Sequence, residues 1–222
     1  VKLTPGNGPL AAMIASATAS GFTVNGAINI EAKNGGVFPG ISELSAKAIN
    51  LDGRDVVAVL SNSKLTGPLK AKGSTDGAFV LILGGQVNGV TADGRTLAFV
   101  QAQDINHDGV NALPTGNFVV KSKNHSGVQF NQSGVPDSKI GNLNVSGDQV
   151  LVSHSGGVIA PLSSKTIGNI NLTAEGPVNL NLQGATSVKN LNLVSKKGDL
   201  QFGLTDIGAT GVIMAKAGIN VN

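Results

Sequence analysis

The amino-acid sequence predicts an all-β fold, a right-handed parallel β-solenoid (β-helix) of about nine coils. The first observation is the composition: 31 of the 222 residues are glycine, 13% are charged, and Cys, Trp and Tyr are absent. Glycine supplies tight turns, and an aliphatic interior with few aromatics suits a narrow core filled by regular stacking. The second observation is a repeat that runs the length of the chain.

A five-residue frame recurs nine times, and its copies start 19 to 30 residues apart. The third position is apolar in all nine copies, and the fourth is Asn in five. Apolar–polar–apolar alternation is the period of a strand with one buried face. Such a unit cannot bury its apolar face alone, but it does so when stacked on equivalent neighbours. We therefore expect the third-position residues to form one inward row: Ile28, Ile49, Phe79, Phe99, Phe118, Leu143, Ile170, Leu191 and Ile213.

The repeat also suggests how the chain is divided. Residues 1–24 are predicted to be an N-terminal cap or a first coil, and residues 25–222 the β-solenoid. The irregular intervals 51–76 and 121–140 are expected to bulge out as loops or to carry an off-register coil. An antiparallel sandwich also uses short strands and frequent turns, but it predicts no fixed recurrence near 20 residues.

Two segments carry a family resemblance. Residues 166–185 and 187–204 each alternate apolar residues with Asn, Lys or Gln around a Gly-containing turn. They resemble the β-helical repeats of filamentous-haemagglutinin-type exoproteins, and the resemblance is strongest over residues 138–222. It implies a large secreted adhesin, surface fibre or biofilm-matrix component, located outside the cell or on its surface.

One local motif suggests a metal site. The segment 104–110 places Asp104, Asn106 and Asp108 at alternate positions, followed by Gly109 and the backbone carbonyl of Val110. This matches the first half of an EF-hand-like calcium loop, although Thr stands where the loop's last carboxylate is expected. A metal-free turn held by side-chain hydrogen bonds is the alternative. No other cofactor is predicted.

The repeated polar and aromatic residues allow simpler readings. The Asn residues at the second and fourth frame positions predict either a hydrogen-bonded amide ladder or a ligand face, while a plain polar surface is the favoured interpretation. Phe79, Phe99 and Phe118 recur at spacings of 20 and 19 residues, which predicts an interior aromatic stack.

The sequence gives little support for catalysis or for nucleic-acid binding. There are 13 carboxylates and three isolated histidines, and the basic residues are neither clustered nor interleaved with aromatics. We therefore predict a non-enzymatic structural or adhesive protein that binds no nucleic acid and has no membrane span. The alternative is a glycan-binding or glycan-cleaving β-helix of the phage-tailspike or polysaccharide-lyase type.

The expected partner is the protein itself. Ile219 and Val221 still alternate as a strand at the carboxyl end. An open coil has unpaired backbone groups that act as a template for further strands. We expect this edge to be covered by another copy, through head-to-tail or lateral assembly, or by the remainder of a longer chain. Surface glycans are the other partner expected.

Overall fold

A computed structural model describes residues 2–3, 21–32, 34–103, 115–132, 139–156, 165–209 and 211–222. These residues form 18 strands and no helix, so the predicted all-β class is confirmed. In this part of the chain no helix has the length and apolar character needed to cross a bilayer. The strands are β1 (Lys2–Leu3), β2 (Phe22–Thr23), β3 (Ala27–Ala32), β4 (Gly40–Ser42), β5 (Leu44–Ala46), β6 (Ala48–Gly53), β7 (Val56–Leu65), β8 (Leu69–Gly73), β9 (Gly77–Gly94), β10 (Leu97–Gln103), β11 (Thr115–Lys121), β12 (His125–Gln132), β13 (Lys139–Gly147), β14 (Gln149–Gly156), β15 (Lys165–Ala174), β16 (Val178–Ser195), β17 (Leu200–Ala209) and β18 (Ile213–Lys216).

The strand pairings are parallel and sort the strands into three stacked columns, which we name faces A, B and C. Face A contains β3, β6, β8, the end of β9, β11, most of β13 and β15, the end of β16, and β18. Face B contains β4, the starts of β7 and β9, then β10, β12, β14 and the starts of β16 and β17. Face C contains β2, β5 and the remaining parts of the long strands. The fold is therefore the predicted parallel β-solenoid.

The coil count is slightly below the nine predicted. About seven coils have all three faces within the described residues. The fifth coil lacks a described face C, and the ninth is short: it consists of the end of β17, the four residues of β18, and a bridge from Val221 to Leu200. We call each level of strands along the axis a rung.

Left-handed backbone conformations mark the corner between faces B and C. Glu43, Asn62 and Gly84 occupy equivalent positions on successive rungs, with φ angles of 51°, 46° and 70°. This conformation turns the chain sharply, and glycine adopts it without steric cost. The long strands β7 and β9 therefore bend from one face to the next.

The core is a set of inward rows, and the row on face A tests the frame directly. Ile28 pairs with Ile49, and Ile170 with Leu191, in one continuous column, as predicted. All are at most 7% exposed. The complete column is Ile28, Ile49, Leu69, Val90, Phe118, Leu143, Ile170, Leu191 and Ile213.

The prediction was wrong for Phe79 and Phe99. Leu69 and Val90 occupy the third and fourth rungs of the face A row, whereas the two phenylalanines lie on face B and point outward, between the buried Ala78 and Val80 or Ala98 and Val100. Both sides of β9 are apolar over this stretch, so alternation does not reveal which side is buried. A one-residue slip then exchanges inside and outside.

The prediction of a loop or off-register coil over residues 51–76 was also wrong. This interval contains the end of β6, all of β7 and all of β8, each paired in register with its neighbours. Part of residues 121–140 forms the regular strand β12, while 133–138 lie outside the described residues. Most of the predicted cap lies outside them as well, but Phe22 and Thr23 pair with the second coil.

Candidate functional site

An asparagine ladder runs along the corner between faces C and A. Asn117 Oδ1 accepts a hydrogen bond of 2.9 Å from the backbone N–H of Asn142, and Asn142 Oδ1 accepts one of 3.0 Å from that of Asn169. Asn190 Nδ2 donates to Asn169 Oδ1 at 2.7 Å, and Asn190 Oδ1 accepts from the backbone of Val212 at 3.0 Å. The favoured prediction of a plain polar surface was therefore wrong here, because these amides bind each other's rungs.

A second set of asparagines, at the fourth frame position, lies on the outside of face A. Asn50 Nδ2 donates to Asn29 Oδ1 at 2.7 Å, and Asn171 Nδ2 donates to Asn144 Oδ1 at 2.8 Å. Asn192 follows Asn171 in register, but its Oδ1 is buried without a hydrogen-bond partner among the described residues. Both rows are amide ladders that tie rungs together.

Charged side chains form a neighbouring row on face A. Glu31, Asp52, Lys72, Asp93 and Lys121 are successive partners in register. Asp52 lies 3.4 Å from Lys72 and Asp93 lies 3.0 Å from Lys121, with side chains 38% to 60% exposed. Three of these carboxylates line a shallow concavity of about 620 Å³.

The corner between faces A and B carries another ion pair. Lys196 Nζ donates to Glu175 Oε1 from the next rung, and Lys197 lies 3.9 Å from the same carboxylate. The Lys196 hydrogen bond is the main cause that lowers the pKa of Glu175 below its ordinary 4.5, and the charges of Lys196 and Lys197 act in the same direction. The carboxylate therefore stays ionised, as an exposed structural partner rather than a proton donor.

The outside of face B differs from that of face A because its first rungs are apolar. Phe79 and Phe99 are partners in register, with ring centroids 5.8 Å apart and planes 5° from parallel. Val57 precedes them in the same outward row, and Leu151 lies beyond them, 37% and 47% exposed. The predicted interior stack of three phenylalanines is thus divided, since Phe118 instead packs inside, edge-on against Phe130 at 5.3 Å.

A pocket of about 470 Å³ opens beside Phe99. The next residue in the outward row is Gly127, and a Cβ there would stand 2.7 Å from the Phe99 ring, so the ring lies over the glycine backbone. Sequence reasoning missed this pocket. A glycine inside a strand often marks a close approach, which was the available indication. The other lining residues are Leu97, His125, Ser126, Gln149, Val150, Leu151, Pro177, Val178, Asn179, Asp199 and Gln201.

The last rung exposes a third surface. β18 pairs with β16 on one side, and on its other side no strand follows within the described residues. Ile213 ends the inward row of face A and is 49% exposed, against 3% for Leu191 one rung earlier. This apolar edge consists of Val212, Ile213, Met214, Ile219 and Val221.

The predicted calcium ligands Asp104, Asn106, Asp108 and Val110 lie outside the described residues. Elsewhere, within the part of the chain that the structure describes, no three His, Asp or Glu side chains come together as a metal site. Of the three histidines, His125 is exposed at the edge of the face B pocket.

Comparison with known proteins found no matching family model, no similar curated protein and no similar solved structure. The resemblance to filamentous-haemagglutinin-type repeats therefore stays a prediction.

Proposed function

We propose that this chain is a non-enzymatic structural or adhesive protein of a cell surface, extracellular fibre or biofilm matrix, and that it assembles head to tail. The observation that carries this proposal is the open edge at β18. Its apolar side chains are 49% to 69% exposed, although the same inward row is buried on every earlier rung. A second copy placed on this edge would bury them and pair the free backbone groups of β18.

The opposite end of the solenoid supports the same arrangement. Phe22 and Phe38 of the first coil are 45% and 39% exposed. Among the described residues β4 pairs only with β7 of the next coil, so its other edge is open. Contact between two different ends of identical chains does not close into a ring unless the rotation allows it, and it produces filaments otherwise.

The test is the assembly state of the purified protein across a wide concentration range, by sedimentation velocity and electron microscopy. We expect the native chain to form filaments. The substitution Ile213→Lys places a charge inside the proposed contact and should leave monomers. Val57→Lys is the matched control, because Val57 is also an exposed aliphatic residue in a strand, but on the side of the rod.

Equal assembly of Ile213→Lys and native protein would contradict the proposal, as would a native chain that stays monomeric throughout. Thermal unfolding of both lysine variants distinguishes a lost contact from a lost fold.

A glycan-cleaving enzyme is the second candidate, and one observation favours it. Glu31 and Asp52 are partners on adjacent rungs, and strands in a sheet lie about 4.8 Å apart, near the carboxyl separation of retaining glycosidases. Against it, Asp52 is half exposed and paired with Lys72, whereas a general acid needs apolar surroundings. Release of oligosaccharides from a polysaccharide panel, abolished by Asp52→Asn, would establish this candidate instead.

A further inference from the structure

The stacked phenylalanines on face B form an aromatic surface that the core does not require. Closely packed rings would have planes about 3.5–4 Å apart, so a centroid distance of 5.8 Å between nearly parallel rings means that they are offset like roof tiles. Part of each ring face therefore points outward, and both residues are only partly buried. The chain has seven phenylalanines and no Trp or Tyr, which makes an outward pair notable.

Phe99 is the last ring of this stack, and no side chain follows it in its row for one rung. Gly127 occupies that rung, and Leu151 the one after it. Two rungs span about 9.6 Å, and carbon atoms in contact lie about 3.5–4.0 Å apart. The space between Phe99 and Leu151 therefore admits one six-membered ring beside the aromatic face.

Neutral hydrogen-bonding groups surround this apolar slot. Gln149, Asn179 and Gln201 each offer an amide donor and an amide acceptor, and His125 offers an imidazole. Asn179 and Gln201 are themselves only 3.5 Å apart, a weak mutual hydrogen bond that a ligand could replace. Hydroxyl groups are both donors and acceptors, so they match amides on either atom.

The charge of the lining excludes anionic ligands. No Lys or Arg lines the pocket, and its one charged group is the Asp199 carboxylate. That carboxylate accepts hydrogen bonds from the backbone N–H and from Nδ2 of Asn220. A phosphate, sulfate or uronic acid would meet repulsion here and no countercharge.

We propose that this pocket binds a neutral saccharide, with one sugar ring packed on Phe99. The C–H face of a hexose is apolar and carries partial positive charge, which suits the negative face of an aromatic ring, while its hydroxyls reach the surrounding amides. The volume of about 470 Å³ lies within the range of about 300–1,000 Å³ typical of small-molecule sites. This site gives the structural protein a ligand on the side of the rod.

The experiment is a calorimetric titration with soluble tetrasaccharides of glucose, galactose, mannose and N-acetylglucosamine. Tetragalacturonate and a short phenylalanine-containing peptide are included as competitors of different chemistry. We expect at least one neutral tetrasaccharide to bind. Phe99→Ala should weaken it about tenfold, and Asn179→Ala about threefold, in line with the loss of one stacking or hydrogen-bond contact.

Lys70→Ala is the control, since it removes an exposed side chain from face A, and its affinity should stay within about twofold of native. Absence of binding by every neutral tetrasaccharide would overturn the proposal. So would tighter binding of tetragalacturonate or of the peptide, or unchanged affinity in both Phe99→Ala and Asn179→Ala. Asn179 is exposed, so its variant keeps the test valid even where Phe99→Ala fails to fold.

Discussion

Faces A and B have the same kind of interior but different exteriors. Inside, both carry rows of buried aliphatic residues such as Ile170 and Leu180. Outside, face A has amide ladders and a row of paired charges, whereas face B begins with Val57, Phe79 and Phe99. The inner rows therefore account for the fold, and the outer rows distinguish one face from another as surfaces for binding.

The largest expected effect separates the two sides of the sheet with one residue type. Phe118→Ala empties a fully buried site beside Phe130 and should reduce the free energy of unfolding by about 3–5 kcal/mol. Phe99→Ala removes a partly buried ring from the outside and should cost about 1–2 kcal/mol. Urea unfolding measures both, and equal losses would mean that the assignment of inside and outside on face B is wrong.

The extent of successful prediction follows the same division. On face A the frame identified seven of the nine inward residues, because polar Asn alternates with them and shows which side faces water. On face B the alternation gave no phase. Leu81 and Ile82 are equally apolar, yet only Ile82 is fully buried. Parallel strands with two apolar sides carry no such information in their sequence.

The candidate site could not be predicted because its parts are far apart in sequence. Phe99, Gly127, Leu151 and Asn179 come from four successive rungs, and their alignment depends on the coil lengths. Those lengths vary where the chain passes through residues 104–114, 133–138 and 157–164. A periodicity averaged over the chain therefore does not give the register at any one rung.

A smaller effect tests the amide ladder on face A. Asn171→Leu removes the donor to Asn144 Oδ1 and should lower the free energy of unfolding by about 1 kcal/mol. Asn192→Leu removes a buried oxygen that has no hydrogen-bond partner, so it should be neutral or stabilising by up to about 1 kcal/mol. Urea midpoints of the two variants give the comparison. A loss in Asn192→Leu as large as in Asn171→Leu would show that the second oxygen is also bound.

The smallest effect concerns the corner between the faces and depends on pH. The pKa of Glu175 is lowered in the folded chain, so the ion pair with Lys196 contributes stability that is complete above the ordinary pKa of 4.5. That contribution is lost as the pH falls through the folded pKa. Glu175→Gln should therefore be slightly less stable than native protein at neutral pH, with the difference disappearing in acid. A difference that grows in acid would contradict this sign.

Head-to-tail stacking through β18 is tested most directly by X-ray diffraction from aligned filaments of the native chain. In this arrangement the solenoid axis is the filament axis, so the strand spacing of about 4.8 Å repeats along it. The account predicts a strong reflection at that spacing on the meridian, and its loss, together with the filaments, in Ile213→Lys. Filaments whose 4.8 Å reflection lies on the equator would instead mean that the rods associate side by side, and head-to-tail assembly would be contradicted.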